Sequence, residues 1–161
     1  MNVAIVPGSF DPVTNGHLDI IKRTSELFDV VYVSILSNSS KNPLFTVSER
    51  IDLLKRVTKD IPNVKVESFT GLLVDYAREK NSKFIVKGLR AVSDFEYEFQ
   101  MALANKKLYA GAETVFLTTA TENMYLSSSL VKQIAYFGGD ISHFVPEMIL
   151  GDIKQRLIKE R

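Results

Sequence analysis

Pro7-Gly8-Ser9-Phe10-Asp11-Pro12-Val13-Thr14-Asn15-Gly16-His17 is the stretch that decides the fold. It follows the apolar run Val3–Val6 and leads into an amphipathic segment that begins near Leu18, which indicates a strand, a glycine-bearing loop and a helix. Such a loop places backbone N–H groups and the positive end of a helix dipole around a phosphate. Gly16 has no Cβ, so a ligand can approach the backbone, and His17 can donate to an anionic oxygen at the helix start. Taken alone, a histidine near a helix start is more often an ordinary surface residue.

Apolar segments of strand length recur along the chain, with helical patterns between them. Several are rich in valine and isoleucine, as buried parallel strands usually are, and they predict an α/β fold with an open parallel sheet covered by helices on both faces. Right-handed crossovers leave few topologies, and five strands favour the Rossmann-like order 3-2-1-4-5. In that order, the loops after strands 1, 4 and 5 meet at the carboxyl edge of the sheet. The predicted strands are Val3–Val6, Val30–Leu36, Val64–Val66, Phe84–Val86 and Val115–Leu117.

Capping signals and glycines mark the predicted helices. Thr46 with Glu49, and Ser93 with Glu96, match the capping-box pattern that opens a helix. Glycines at 138 and 139 are a C-terminal stop for the fifth helix. The predicted helices begin near Leu18, Thr46, Leu72, Ser93, Ser127–Ser129 and Pro146, and the third and last of them end near Lys80 and Lys159.

Composition sets the class of protein. With 161 residues, 45% of them hydrophobic, the chain is expected to form one globular domain over residues 1–161. The net charge of +1 gives no electrostatic argument for binding nucleic acid or a membrane surface. There is no cysteine, which excludes disulfides, thiolate metal sites and a cysteine nucleophile and fits a reducing cytoplasm. We see no signal peptide and no apolar stretch near the ~18 residues that span a bilayer.

Two further loops carry cations. The loop expected after strand 4 reads Lys87-Gly88-Leu89-Arg90, in which lysine and arginine flank a glycine and can hold phosphate oxygens. The loop expected after strand 2 contains Lys41, a cation that could close over a bound phosphate. Taken in isolation, each loop is more often a solvated segment with ordinary charges.

The loop after strand 5 ends in Ser127-Ser128-Ser129, directly after Asn123-Met124-Tyr125-Leu126. Hydroxyls and free N–H groups at a helix start form a seat for an anion. Plain N-capping explains one serine well and three poorly. Glu98, in the fourth predicted helix, can accept from a ribose hydroxyl, although a surface carboxylate is the commoner role.

Several motifs are absent from the sequence. The first loop is not Gly-x-Gly-x-x-Gly, and the chain has no P-loop and no Gly-x-Ser-x-Gly elbow. No cluster of histidine, aspartate and glutamate has convincing metal-ligand spacing. His143, the other histidine, is interpreted as structural or surface. The chemistry of these residues alone therefore predicts an enzyme that is built on a parallel sheet and binds ligands with phosphate groups.

Taken together, these residues resemble the bacterial phosphopantetheine adenylyltransferases. The likeness covers essentially the full chain, in order and with matching spacing. The first loop and the serine motif alone would indicate only the nucleotidyltransferase superfamily, and the other two stretches narrow it to this family. The stretches are Gly8–His17, Lys87-Gly88-Leu89-Arg90, Asp94-Phe95-Glu96-Tyr97-Glu98 and Leu126-Ser127-Ser128-Ser129.

The resemblance implies a reaction of ATP with 4′-phosphopantetheine that gives dephospho-coenzyme A and pyrophosphate. It also implies a Mg²⁺ requirement, a homohexamer and a transition-state-stabilising role for His17. By matching positions, the residues that contact phosphopantetheine would be Ser9, Lys41, Leu73 and Lys87. Those that contact ATP would be Ser9, Phe10, His17, Gly88, Leu89, Arg90, Glu98, Asn123, Met124, Tyr125, Leu126, Ser127, Ser128 and Ser129.

Three positions depart from the family pattern. Lys87 stands where arginine is usual, which keeps the charge but loses two-point recognition of phosphate. Asn123 stands where some members have tryptophan, so stacking at that position is in doubt. Leu126 replaces the usual isoleucine, which should be nearly neutral.

Other functions remain open on the sequence. A nucleotidyltransferase of the same superfamily could act on nicotinamide mononucleotide or glycerol 3-phosphate, and a non-catalytic module could bind ATP as a sensor. A fragment of a class I aminoacyl-tRNA synthetase shares the Gly-His chemistry, but 161 residues leave no room for domains that read tRNA.

Overall fold

Five strands in a single sheet form the centre of the protein. The computed structural model describes residues 1–37, 42–90 and 95–160. The elements are β1 Val3–Gly8, α1 Asn15–Leu27, β2 Val30–Leu36, α2 Val47–Val57, β3 Val64–Phe69, α3 Leu73–Glu79, β4 Phe84–Leu89, α4 Phe95–Leu108, β5 Glu113–Thr118, a short 3₁₀ turn Thr121–Asn123, α5 Ser128–Tyr136 and α6 Glu147–Glu160.

The sheet has the order β3-β2-β1-β4-β5 with every neighbouring pair parallel, which confirms the predicted topology. Successive side chains of β1 point to opposite faces: Ala4 and Val6 join the larger hydrophobic core, and Ile5 joins a smaller one. The larger core includes residues of α1, α2, α5 and α6, and the smaller one includes α3. Helices therefore cover both faces, as the valine-rich strands predict.

The pairing of β1 with β4 differs from the others. β1 pairs with β2 from Val3 to Gly8, whereas its register with β4 is confined to Ala4 and Ile5. Beyond that point the two strands separate toward their carboxyl ends. Pro7 suits this separation because proline has no N–H to donate to a ladder. The divergence opens a cleft between β1 and β4, at the switch point where such sheets bind ligands.

Most predicted helix starts are confirmed. Thr46 caps α2 in a capping box with Glu49, and Ser127 caps α5. The first helix begins at Asn15 rather than near Leu18, because Thr14 caps it with a side-chain hydrogen bond. The capping residue predicted at Ser93 lies outside the described residues.

Four of the five strands are longer than the apolar runs that predict them, and β2 has the predicted bounds. Pro7 and Gly8, which were predicted to open the first loop, are the end of β1, and the loop predicted after β4 is corrected in the same way. Lys87, Gly88 and Leu89 are the last residues of β4, and only Arg90 follows the strand. Local hydrophobicity could not reveal this, since the pairing of Lys87 to Leu89 with Phe116 to Thr118 of β5 extends the strand beyond its apolar part. Among the described residues, no helix is both long and apolar enough to cross a membrane.

Candidate active site

A cleft of about 280 Å³ lies where β1 and β4 diverge. Residues of the first loop, the end of β4, α4 and the start of α5 all contribute to its walls, so the predicted gathering of separate segments at one edge of the sheet is present. Of the predicted site residues, those that line the cleft are Ser9, Phe10, His17, Lys87, Gly88, Arg90, Glu98, Asn123, Leu126, Ser127 and Ser128.

His17 is oriented by its own helix start. Thr14 is the N-cap residue of α1, and its backbone N–H donates to Nδ1 of His17 at 3.0 Å. The backbone N–H of His17 donates back to the hydroxyl of Thr14 at 3.3 Å. This reciprocal pair is a capping box in which histidine takes the place of glutamate. Because Nδ1 accepts a hydrogen bond, the proton of the neutral ring lies on Nε2.

The electrostatic environment keeps His17 neutral. Burial is the largest cause, followed by the positive charges of Arg90 and Lys87, and together they lower the pKa of the imidazole from 6.5 to about 4. At neutral pH the ring is therefore a hydrogen-bond donor through Nε2–H and carries no charge. It is unsuited to act as a general acid at that pH.

Phe10 forms the base of the first loop. Its backbone has φ 48°, a left-handed conformation that non-glycine residues rarely adopt, and its side chain is 3% exposed. The ring meets the His17 ring edge-on, with 5.1 Å between centroids. A Cβ on Gly8 would lie 3.0 Å from the Phe10 ring, so glycine at that position lets the ring turn under the strand. The loop thereby supports the imidazole from below.

Two cationic side chains, Lys87 and Arg90, also line the cleft. The ammonium of Lys87 lies 3.5 Å from the carboxylate of Glu98 in α4. Arg90 donates to the Leu126 carbonyl at 3.0 Å, which links the end of β4 to the segment before α5. A Cβ on Gly88 would lie 3.0 Å from Ile20, so this glycine allows α1 to pack closely against β4.

The three serines have different roles. The hydroxyl of Ser127 accepts from the Leu130 N–H at 3.1 Å and is an N-cap. The hydroxyl of Ser128 instead donates to the Pro12 carbonyl at 2.6 Å, which fastens α5 to the first loop. Ser129 is exposed in the first turn. Simple capping thus explains Ser127 alone, and the first N–H groups of α5 have no carbonyl to bind within the helix.

Among the described residues, five of the predicted site residues do not line the cleft. Leu89 ends β4, and Tyr125 is exposed with its ring edge-on to Phe144. Leu73 packs against the smaller core at the start of α3. Met124 follows the 3₁₀ turn, and Ser129 lies one residue beyond the serines that do line the cleft. Lys41 lies outside the described residues.

Sequence reasoning missed Thr14, whose position three residues before His17 was the available signal. It also missed Asp11 and Arg50, which bind distant backbone and have no local signature. His143 is exposed, and its carbonyl accepts from Asn15, which confirms the structural or surface interpretation. Within the described ranges, there is no group of three or more histidine, aspartate or glutamate side chains placed to hold a metal ion.

Solved structures share the architecture. A putative nicotinate-nucleotide adenylyltransferase from Vibrio parahaemolyticus superposes with a TM-score of 0.68 at 19% identity, covering 99% of this chain and 94% of the other. A nicotinic acid mononucleotide adenylyltransferase from Plasmodium falciparum, complexed with NaAD, gives 0.68 at 15% identity over 99% and 95% of the two chains. At these identities the likeness establishes the fold.

Sequence comparison is more specific. A family model described as cytidylyltransferase-like matches residues 5–134. Curated phosphopantetheine adenylyltransferases match nearly end to end: that of Caldanaerobacter subterraneus subsp. tengcongensis is 60% identical over 99% of both chains, and that of Clostridium novyi is 58% identical over 100% of both. The Clostridium tetani protein is 61% identical over 95% of this chain and 96% of its own. The chain therefore belongs to the cytidylyltransferase-like family and, within it, to the phosphopantetheine adenylyltransferases.

Proposed function

We propose that this protein transfers the adenylyl group of ATP to 4′-phosphopantetheine, giving dephospho-coenzyme A and pyrophosphate. The observation that carries the proposal is a single cleft in which a neutral histidine donor faces Lys87 and Arg90, in a chain of this family. Such a cleft matches the needs of two phosphorylated substrates that must be brought together.

The reaction needs little acid–base help. A phosphate oxygen of phosphopantetheine attacks the α-phosphorus of ATP, a new P–O bond forms, and the bond from the α-phosphorus to the bridging oxygen breaks as pyrophosphate leaves. The second pKa of a phosphomonoester is about 6, so the nucleophile is already anionic at neutral pH. The remaining task is alignment and charge stabilisation, which can supply most of the rate.

His17 is assigned to the α-phosphate. Its Nε2–H donates to the α-phosphate oxygens, and this bond strengthens as charge develops in the transition state. The capping box with Thr14 holds the ring in the required tautomer, and the pKa of about 4 keeps that tautomer populated across the physiological range.

Lys87, Arg90 and the amide groups at the start of α5 offset the charge of the triphosphate and of the second phosphate. The separation of 3.5 Å between Lys87 and Glu98 is that of a loose ion pair, so the ammonium can turn to a phosphate at small cost. Glu98 is then available to accept from a ribose hydroxyl.

The two substrates divide the cleft between them. Phosphopantetheine is assigned to Ser9, Lys41, Leu73 and Lys87. ATP is assigned to Ser9, Phe10, His17, Gly88, Leu89, Arg90, Glu98 and residues 123–129. Leu73 follows β3, which lies two strands from β1 and therefore about 10 Å away along the edge of the sheet. An extended pantetheine arm whose phosphate lies near Ser9 can cover that distance. Leu89, Met124, Tyr125 and Ser129 would contact ATP at the rim of the cleft.

Mg²⁺ is proposed to arrive with the nucleotide. The donors that line the cleft are mainly cations, hydroxyls and amides, and its one carboxylate, Glu98, is paired with Lys87 among the described residues. This set suits an ion whose ligands are phosphate oxygens and water, as Mg²⁺ often keeps several waters. The chain's residues would then bind the phosphates rather than the ion.

A homohexamer is part of the proposal. α4 is apolar on several sides and only Asn105 of its residues is buried, so a helix of this kind is expected to pack against other copies. Light scattering would then give a mass about six times that of the 18.1 kDa chain. The exposed apolar residues of α4 are Phe95, Tyr97, Phe99, Met101, Leu103 and Leu108.

A cytoplasmic location stays a prediction from the sequence.

A pyrophosphate-release assay tests the function. Purified protein is given ATP or CTP with phosphopantetheine, nicotinamide mononucleotide or glycerol 3-phosphate in parallel. We expect release with ATP and phosphopantetheine, and dephospho-coenzyme A in equal amount. Faster turnover of another acceptor would contradict the proposed substrate, and calorimetric binding of ATP without release with any acceptor would favour the ATP sensor.

A further inference from the structure

Two buried side chains of opposite charge fasten the segment before α2, and α2 itself, to the first loop. Asp11 and Arg50 are each only 6% exposed. The Asp11 carboxylate accepts from the N–H groups of Leu44 at 2.8 Å and Phe45 at 2.9 Å. Arg50 donates to the carbonyl of Ser9 at 2.9 Å. Neither side chain lines the cleft that the described residues form. Direct binding of a substrate therefore does not explain why these two charges are buried here.

The two anchored residues, Ser9 and Asp11, stand on either side of Phe10 in the sequence. Arg50 holds the residue before it and the backbone around Leu44 holds the residue after it, while Phe10 itself has the left-handed φ of 48°. Such a conformation persists only where the surroundings impose it. Because the Phe10 ring supports His17, the anchors control both the imidazole and the Ser9 position in the cleft wall.

The same turn is tied to α5. Lys132 of α5 lies 3.4 Å from the Asp11 carboxylate, and Ser128 donates to the Pro12 carbonyl. Burying a carboxylate is costly unless it is paired and hydrogen-bonded, and here two amides and an ammonium compensate it. Asp11 therefore connects three segments of the chain: the first loop, the segment before α2, and the helix whose start lines the cleft.

We propose that Asp11 and Arg50 are positioning residues for adenylyl transfer, which hold Ser9, Phe10 and, through Phe10, His17 in the geometry that the reaction requires. The proposal rests on the proposed function. It differs from a purely stabilising role because misplacing a reacting group by about 1 Å can cost on the order of 10²-fold in rate.

Conservative variants test the proposal. Asp11→Asn keeps the shape of the side chain, but its amide NH₂ then faces one of the two backbone N–H groups that Asp11 accepts from. Arg50→Lys keeps the charge but loses the guanidinium that reaches the Ser9 carbonyl. Asp29→Asn is a control for the same change away from the cleft, since Asp29, the exposed residue directly before β2, accepts from the Asn2 N–H at the other end of the sheet. Arg56→Lys is the second control, since Arg56 lies on the same helix and binds Asp152 of α6.

For each variant, kcat and both KM values are measured at 25 °C, together with Tm. We expect Asp11→Asn and Arg50→Lys to lower kcat by about 10-fold or more, and the controls to stay within about two-fold, with the Tm of every variant well above the assay temperature. A full kcat in either variant overturns the proposal for that residue, as does an equal loss in its control. If Asp11→Asn fails to fold, Arg50→Lys carries the test. A wild-type protein that releases no pyrophosphate refutes the proposed function instead.

Discussion

Replacing His17 with alanine is the most informative single change. It removes the Nε2–H donor that we assign to the α-phosphate, and loss of one such donor typically costs about 10²–10³ in kcat. It also removes the acceptor for the Thr14 N–H, so the capping box is lost at about 1 kcal/mol of stability. We therefore expect turnover to fall by about 10²–10³, a loss far greater than the change in stability would produce in a protein that stays folded at 25 °C.

The chain offers a matched control for this variant. α2 begins with the same capping box, in which Glu49 stands where His17 stands in α1, and it lies outside the cleft. Glu49→Ala should lower Tm, since it also breaks the ion pair with Arg156, and should leave kcat within about two-fold. Pyrophosphate release at saturating substrates gives kcat for both variants, and thermal unfolding gives their Tm. Unchanged turnover in His17→Ala would refute the assigned role, and an equal fall in Glu49→Ala would reduce it to a structural one.

Three further changes test the charge of His17, the packing of α1 and the phosphate contact of Lys87. The pKa of His17 is about 4 in the folded protein and 6.5 in the unfolded chain, so the unfolded state takes up this proton first as the pH falls. Up to about 3 kcal/mol of the free energy of unfolding, present above pH 6.5, should therefore be lost by pH 4. Urea unfolding should show a smaller loss in His17→Gln. Gly88→Ala places a methyl group 3.0 Å from Ile20 and should lower the free energy of unfolding by about 1–3 kcal/mol. Gly151→Ala in α6, where a Cβ has nothing within 4 Å, should be neutral or stabilising. Equal Tm values for the two variants would contradict the close packing of α1 on β4. Lys87→Arg restores two-point phosphate recognition and should lower KM for phosphopantetheine by about two- to five-fold, and a rise in that KM would argue against a phosphate contact.

The fold could be predicted because its signals are local. Valine-rich runs, Thr46 with Glu49, and the glycines after α5 each act within a few residues, and the order of strands follows from the handedness of crossovers. The extension of β4 from Lys87 to Leu89 could not be predicted, since pairing with β5 decides it rather than hydrophobicity.

The candidate site was predicted only in part. The glycine loop, the cations and the serines marked the edge of the sheet, but the tautomer of His17 depends on Thr14, and the left-handed backbone at Phe10 has no glycine or asparagine to signal it. Asp11 and Arg50 act on residues more than 30 positions away in the chain, so only the tertiary structure reveals them.

The divergence of β1 and β4 creates one cleft, and we propose that this cleft holds ATP against His17. A crystal structure with a non-hydrolysable ATP analogue tests it most directly. We expect the α-phosphate to lie within hydrogen-bond distance of His17 Nε2, with the phosphate chain between Arg90 and the start of α5. An analogue bound outside this cleft, or with its α-phosphate away from His17, would contradict it.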